Sequence, residues 1–395
     1  MLVVEPSRVL TVEARRQAMS SAPHDLHESH RPKPGTPRAA GYRMPAEFDR
    51  HERCLIAWPT RTRAYWGEYY MLAQHTYAAV ARAIARFEPV TVLARPGEGP
   101  EATSYCGSDG IEVVEMPLDD SWIRDSGPNW VRRADGARAL ADFGFNSWGE
   151  RYLPYDDDAR IGERLAGHFG VERFATPMVL EGGSITVDGE GTLITTESCL
   201  LHPTRNPGMT KDEIERELKD MLGVEKVIWL VSGLGLEEDP DTDGHVDGVA
   251  AFVGPARVLL HMVRDPRHPD YENLMENRRR LETTDALGRE IEVVECDRRS
   301  APVRVGGRDI VETFVNFYQA NGAVIVPTGG NAADLPALEW LAEVFAGREV
   351  VGVPAPVVGY GGGGVHCITQ QVPLGGTASR VSAHEADTPG PRAGR

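Results

Sequence analysis

The stretch VVGYGGGGVHCITQQ, residues 357–371, runs from four consecutive glycines through a histidine and a cysteine into a segment with a strand signal. That signal, VHCITQQ, is left over after the last helix-and-strand unit of the chain. Near the other end, CLIAWP at 54–59 opens the first unit without a hairpin partner. Between them one pattern recurs, an amphipathic helix followed by a short apolar strand. The helix candidates are 70–87, 158–169, 210–222, 269–286 and 333–346. The strands after them are PVTVLAR from 89, RFATPMV from 173, EKVIWLV from 225, EIEVVEC from 290 and EVVGVPA from 349. Hairpin-like pairs with glycine-containing turns precede three of the helices: SITVDGEGTLITTE, GVAAFVGPARVLLH and NFYQANGAVIVP. The expectation is an α/β fold of five similar units around an axis, with their inner loops gathered at the centre and VHCITQQ paired with CLIAWP to close the ring. A doubly wound α/β sheet is the competing arrangement.

The 395 residues can build a substantial core, and 41% hydrophobic with 26% charged residues is an ordinary globular composition. No apolar run approaches the length of a membrane span, and the first twenty residues lack the continuous apolar core of a signal peptide, so the expected compartment is the cytoplasm. The five cysteines are scattered, odd in number and free of any CxxC pair, which argues against a disulfide framework and a thiolate zinc site but leaves room for a reactive thiol. A formal charge of -17 disfavours nucleic acid and anionic membranes and suits a small cation. Residues 1–40 and 374–395 read as disordered polar tails, and 41–373 as one catalytic domain.

Four polar segments fall at strand ends or turns: DDSWIRDSGP (119–128), LEGGS (180–184), DTDGHVDG (241–248) and GGGGVHC (361–367). Each has an ordinary explanation. Asp125 suits a turn cap beside Arg124, and Glu181 could flank a hairpin, although its apolar neighbours make an unpaired carboxylate expensive there. His245 and Asp247, two apart, would share one face of a strand. A Ca²⁺ loop at 241–248 fails for want of the acid spacing and terminal Glu of an EF-hand. Cys199 and Cys296 read as small buried apolar residues. The glycines before Cys367 bring no side-chain bulk and so let a ligand approach, which makes Cys367 a candidate nucleophile. Carboxylates around a thiol raise its pKa. A guanidinium resolves the conflict, because two carboxylates can grip its N–H groups while its charge favours the thiolate. At 4 Å and an effective dielectric of 20 that charge is worth about 4 kcal/mol as an upper bound.

At these residues the sequence resembles the agmatine deiminase branch of the porphyromonas-type peptidylarginine deiminase family. The resemblance runs in order through MPAEF, FEPVTVLA, DDSWIRDSGP, FNSWG, LEGGSITVDGEGTLITTESCLL, RNPGMTKDEIERELKDMLGV, DTDGHVDG, NFYQANGAVIVP and GGGGVHCITQQ, from about Gly41 to Pro373. It implies the five-bladed pseudo-symmetric α/β propeller of the guanidine-modifying enzymes, the pentein fold. It also implies hydrolytic deimination of agmatine to N-carbamoylputrescine and ammonia, in polyamine formation, without metal or organic cofactor. Cys367 matches the nucleophile and His245 the general acid and base. Asp125 and Asp247 match the carboxylates that hold the guanidinium, and Glu181 the acid assisting His245. Trp122, Asn316 and Gly364 lie in matching segments as substrate-binding candidates. Thr60, Asp243 and Gly248 depart from the usual pattern, at positions suited to holding the far end of the substrate. Another guanidine substrate, an amidinotransferase, a cysteine peptidase and a non-catalytic cation binder stand as alternatives, and a homo-oligomer is left open.

Overall fold

A computed structural model describes residues 32–63, 65–235 and 241–376. The chain begins its sheets with β1 (His51–Ala57), and helix α1 (Tyr70–Ala85) leads to β2 (Val90–Ala94) and β3 (Ile111–Glu115). The second sheet holds β4 (Asn129–Arg132) and β5 (Arg138–Gly144), then α2 (Ile161–Phe169) and β6 (Glu172–Val179). In the third, β7 (Ile185–Val187) and β8 (Thr192–Thr196) are followed by α3 (Lys211–Leu222) and β9 (Lys226–Leu230). The fourth has β10 (Ala250–Gly254), β11 (Arg257–His261), α4 (Tyr271–Arg280) and β12 (Glu292–Cys296). A small hairpin, β13 (Val303–Val305) and β14 (Arg308–Ile310), precedes the fifth sheet, which holds β15 (Tyr318–Ala320), β16 (Ala323–Thr328), α5 (Leu335–Val344) and β17 (Glu349–Pro354). The last strand, β18 (Thr369–Pro373), returns to the first sheet.

One rule governs these sheets. An antiparallel hairpin is followed by a helix, and the third strand comes back parallel to the second: β4–β5–β6, β7–β8–β9, β10–β11–β12 and β15–β16–β17. The first sheet obeys the same rule with its hairpin partner supplied from the far end. There β18 lies antiparallel to β1 with Ile56 opposite Thr369 and Cys54 opposite Gln371, and β2 and β3 add parallel strands. The expected pairing of CLIAWP with VHCITQQ is therefore present, and the architecture is α/β with mixed sheets.

Local chemistry explains the elements. In α3, Thr210 and Glu213 form a reciprocal capping box, Gly223 stops the helix at φ 66°, and Ile214, Leu218 and Leu222 face the core. Strand β2, VTVLA, is buried at every position because parallel strands flank helices on one side and a sheet layer on the other. Below the first sheet, Tyr318 donates to Glu88 at 2.6 Å and His51 lies 3.2 Å from the same carboxylate, which ties β15 to β1 through buried polar atoms.

Three readings are corrected. The helix expected over 269–286 ends at Arg280, because Asp285 accepts from the amides of Leu287 and Arg289 and forms a turn there instead. The hairpin β4–β5 went unread because the charged run Arg132–Arg133 hides its alternation, although Asp135-Gly136, with Gly136 at φ 86°, marks the turn. The packed chain also extends past the boundaries at 41 and 373: Arg38 donates to Asp220 O and Leu374 to Arg50 O. The remaining tail segments, 1–31 and 377–395, lie outside the described residues. Among the described residues no helix is long and apolar enough to cross a membrane.

Leu55 is fully buried on β1, the strand that joins the two ends of the chain. Leu55→Ala is expected to cost roughly 2–5 kcal/mol in urea unfolding, and a loss well below that range would show that this junction does not carry stability.

Candidate active site

The site is assembled from turns at the ends of strands. Asp125 sits in the one-turn helix Ile123–Ser126, which the preceding Trp122 enters with non-helical backbone. Its Oδ1 accepts from Gly183 N at 2.9 Å and its Oδ2 from Trp148 Nε1 at 3.0 Å. Glu181 precedes the short turn Gly182–Ser184 and is fully buried. The glycines of LEGGS are required by space. A Cβ on Gly182 would stand 2.1 Å from Arg124 O, and one on Gly183 would stand 2.6 Å from His245 Nδ1, 2.9 Å from Asp125 Oδ1 and 3.0 Å from Asp247 Oδ2. Gly183 is therefore the point on which the histidine and both aspartates converge.

His245 and Asp247 do not share a strand as expected. His245 has extended backbone and caps a 3₁₀ turn, Val246–Gly248, that contains Asp247. The left-handed residues Asp243 and Gly244, at φ 58° and 89°, end any strand before it, and the same acids are brought together by the turn. Cys367 likewise lies just before β18 rather than in it. Its Sγ is 3.6 Å from Asp247 Oδ2 and 3.5 Å from Asn316 Nδ2. The glycine run fits closely around it: a Cβ on Gly363 would meet the Trp122 ring at 2.6 Å and Cys367 Sγ at 3.1 Å, and one on Gly364 would meet Asn316 Oδ1 at 2.4 Å.

A cavity of about 260 Å³ opens onto this cluster. Cys367, Asp247, Asn316, Thr242, Gly248 and Gly362–Gly364 line it, with Arg308, Asp309 and Val311 among the residues of its outer wall. Asp125, His245 and Glu181 form the next layer inward and are almost wholly buried. Trp122 is also outside the lining; its indole N–H donates to Tyr65 and its ring stacks on Trp66.

Burial drives the Cys367 thiol well above its ordinary pKa, and Asp247 and Asp125 push it further. Burial also raises Asp125, against the pull of His245 and with Asp247 and Glu181 adding to it, to about 6. For His245 burial favours the neutral ring, but Asp125, Cys199 and Glu181 outweigh it and hold the proton on. Burial would raise Glu181 too, yet His245 and Arg205 keep it below the usual carboxylate range. The site thus holds a neutral thiol among acids.

Several residues of this network were not singled out from the sequence. Arg205 is completely buried and donates from Nε to Glu181 Oε1 at 2.6 Å, from Nη1 to Asp243 Oδ2 at 2.7 Å and from Nη1 to Trp148 O at 3.1 Å. His366 places Nδ1 2.8 Å from Asp247 Oδ2 and Nε2 2.8 Å from Glu47 Oε2. Burial opposes ionisation of both carboxylates, but His366 and Arg124 hold Asp247 low and Glu47 at about 2. Ionised carboxylates only accept, so His366 donates from both nitrogens and carries a positive charge. Cys199, read as an inert apolar residue, has its Sγ 3.9 Å from Glu181 Oε2. Thr60, one of the departures, donates to Asp119 O at 3.0 Å and so braces the loop that carries Trp122 and Asp125.

A repeated hairpin, helix and strand unit whose turns gather a thiol, two histidines and buried carboxylates against one small cavity defines a class of α/β proteins with an acidic, cysteine-centred site. The chain belongs to the Porphyromonas-type peptidyl-arginine deiminase family, which it matches over residues 43–373. It is 42% identical to an agmatine deiminase of Pseudomonas aeruginosa (strain LESB58), over 86% of this chain and 97% of that protein. Among solved structures it resembles the agmatine deiminase of Enterococcus faecalis, with a TM-score of 0.79, 35% identity and coverage of 86% and 98% of the two chains. A C. jejuni agmatine deiminase with substrate bound has a TM-score of 0.75 at 25% identity, with coverage of 85% and 97%.

Arg205→Ala strands the Glu181 carboxylate in the interior. It is expected to cost about 3–5 kcal/mol in denaturant unfolding, as for the breaking of a buried pair, and Arg205→Lys should not restore the several contacts of the guanidinium fork. A loss below about 1 kcal/mol would mean that Glu181 reaches water.

Proposed function

We propose that this protein is a hydrolase of the carbon–nitrogen bonds of linear amidines, and that it converts agmatine and water to N-carbamoylputrescine and ammonia. The observation that carries the reading is the resting site itself: a buried thiol 3.6 Å from an ionised aspartate, in a cavity wall whose next layer holds a second aspartate and a protonated histidine. Such a site excludes neutral electrophiles and takes a planar cation. Agmatine deiminases at 42% and 35% identity over most of the chain support the choice of substrate.

In this reading the guanidinium enters between Cys367 and the inner carboxylates and is gripped by Asp125 and Asp247. Its charge lowers the pKa of Cys367, whose proton passes to solvent through the open cavity, and the thiolate attacks the guanidinium carbon. His245 then donates its proton to the departing nitrogen, the carbon–nitrogen bond breaks, and ammonia leaves. The S-alkylthiouronium that remains is attacked by water, which gives a proton to His245, and the thiolate is expelled as the carbamoyl product forms. Glu181, held by Arg205, supports the charge on His245 through both steps. No atom changes oxidation state, so the chemistry calls for no redox group. The present separations of 3.8 and 3.9 Å from His245 to Asp125 and Glu181 are longer than hydrogen bonds, as is common before substrate closes a site.

The same reading arranges the five sheets as five blades about an axis, a propeller sealed by β1 and β18, with one catalytic domain that contains 41–373 and the packed residues just outside it. The hairpin-helix-strand rule common to the sheets and the pairing of the two chain ends support it. A cytoplasmic setting agrees with five free thiols, since the cytoplasm keeps cysteines reduced.

Purified protein is expected to release ammonia from agmatine in preference to arginine, a blocked arginyl peptide or simple alkylguanidines, and Cys367→Ser to lower that rate at least a thousandfold. Preference for arginine would move the assignment to another guanidine, and no release from any of them under reducing conditions would refute it.

The pH dependence has a fixed sign. Asp125 must be ionised to hold a cation, and burial places its pKa at about 6, so kcat/KM should rise as pH increases through that value. Bound guanidinium lowers the pKa of Asp125, so the acidic limb of kcat should lie at lower pH than that of kcat/KM. Coincident limbs would place the titrating group elsewhere.

A further inference from the structure

We propose that His245, Cys199 and Glu181 form an inhibitory binding site for a thiophilic divalent cation of the zinc or cadmium type, on the side of the catalytic histidine away from Asp125. Cys199 has no part in the deimination steps, yet its sulfur is fully buried and points at the two catalytic groups rather than into apolar packing. Glu181 Oε2 is 3.9 Å from His245 Nε2 and 3.9 Å from Cys199 Sγ, and one donor atom from each of the three residues lies within 4.8 Å of the others. Tetrahedral zinc with bonds of about 2.0–2.3 Å needs ligand separations of roughly 3.3–3.7 Å, so the three side chains need to close in by about 1 Å or less.

Second observations point the same way. Both ring nitrogens of His245 are buried and, among the described residues, within ordinary hydrogen-bond length of no partner, so Nε2 can coordinate once its proton is displaced. Metal-binding histidines usually direct their other nitrogen at a carboxylate, and His245 Nδ1 faces Asp125 Oδ1 at 3.8 Å. Glu181 has its other oxygen fixed by Arg205 at 2.6 Å, which leaves Oε2 oriented toward the gap. One sulfur, one imidazole and one carboxylate select zinc or cadmium over magnesium or calcium, which demand oxygen. Coordination uses the Cys199 thiolate and the neutral imidazole, so the metal displaces the protons these groups carry and leaves the carboxylate as it was. The consequence is specific. The metal removes the proton donor of the reaction without touching Cys367 or the cavity.

The test separates this site from metal capture by the nucleophile. Cd²⁺ is titrated into Cys367→Ser protein, in which the nucleophilic sulfur is absent, and thiolate-to-cadmium charge-transfer absorption is followed with equilibrium dialysis for stoichiometry. The expected result is one Cd²⁺ per chain with a charge-transfer band, both lost in Cys199→Ser/Cys367→Ser and retained in Cys296→Ala/Cys367→Ser. In otherwise unaltered protein, Zn²⁺ inhibition of ammonia release should weaken at least tenfold in Cys199→Ser. Absence of the band in Cys367→Ser protein, or its survival without Cys199, overturns the proposal, as does unchanged Zn²⁺ inhibition in Cys199→Ser. The cadmium measurement needs no turnover, so it stands whether or not agmatine is the substrate.

Discussion

Three carboxylates can be buried in one small site only if each has its own compensating partner. Glu181 has the Arg205 fork, Asp247 has the His366 imidazolium, and Asp125 has the indole N–H of Trp148 and the amide of Gly183. The partners are unequal, and the inequality sets the chemistry. Two acids matched to cations stay ionised below their usual range, whereas Asp125, matched to neutral donors, rises to about 6. Beside them, burial and the charges of Asp247 and Asp125 keep the Cys367 thiol neutral.

The repeated unit explains how these partners arrive together. Each unit is entered through a loop or turn that brings a site residue: Asp125 comes from the loop before β4, Glu181 from the turn before β7, the His245 loop from before β10, Asn316 from before β15, and Cys367 from before β18. Each of these clustered side chains thus precedes the first strand of a hairpin. The turn amides and glycines allow approach distances that a side chain would forbid, as at Gly183. The central strands β2, β8 and β16 of three of these sheets are buried along their whole length.

Much of this was legible beforehand where the signal is local. The helix periods, the glycine-containing turns at 189–191 and 321–322 and the buried strand runs were read from neighbouring residues alone, and the leftover strand at each end predicted the β1–β18 pairing. Reading failed where charge masked alternation, as in β4, or where a polar turn interrupted an apparent helix, as at Asp285. At the site, the structure brings Cys367, Asp247, Asp125, His245 and Glu181 together, yet His245 and Asp247, whose two-residue spacing fits a strand, lie in a turn instead. The tightly wound turn that holds them is dictated by Asp243 and Gly244 upstream.

What the amino-acid order determined by itself was the succession of units and the kinds of reactive group, since both follow from periodicity and composition within a dozen residues. Only the folded chain decided which acid meets which base. Arg205 and Glu181 are 24 residues apart, His366 and Asp247 119, and His366 and Glu47 319. No local period links such partners. Their pairing depends on sheets brought together in space, and the ionisation of each acid depends on that pairing.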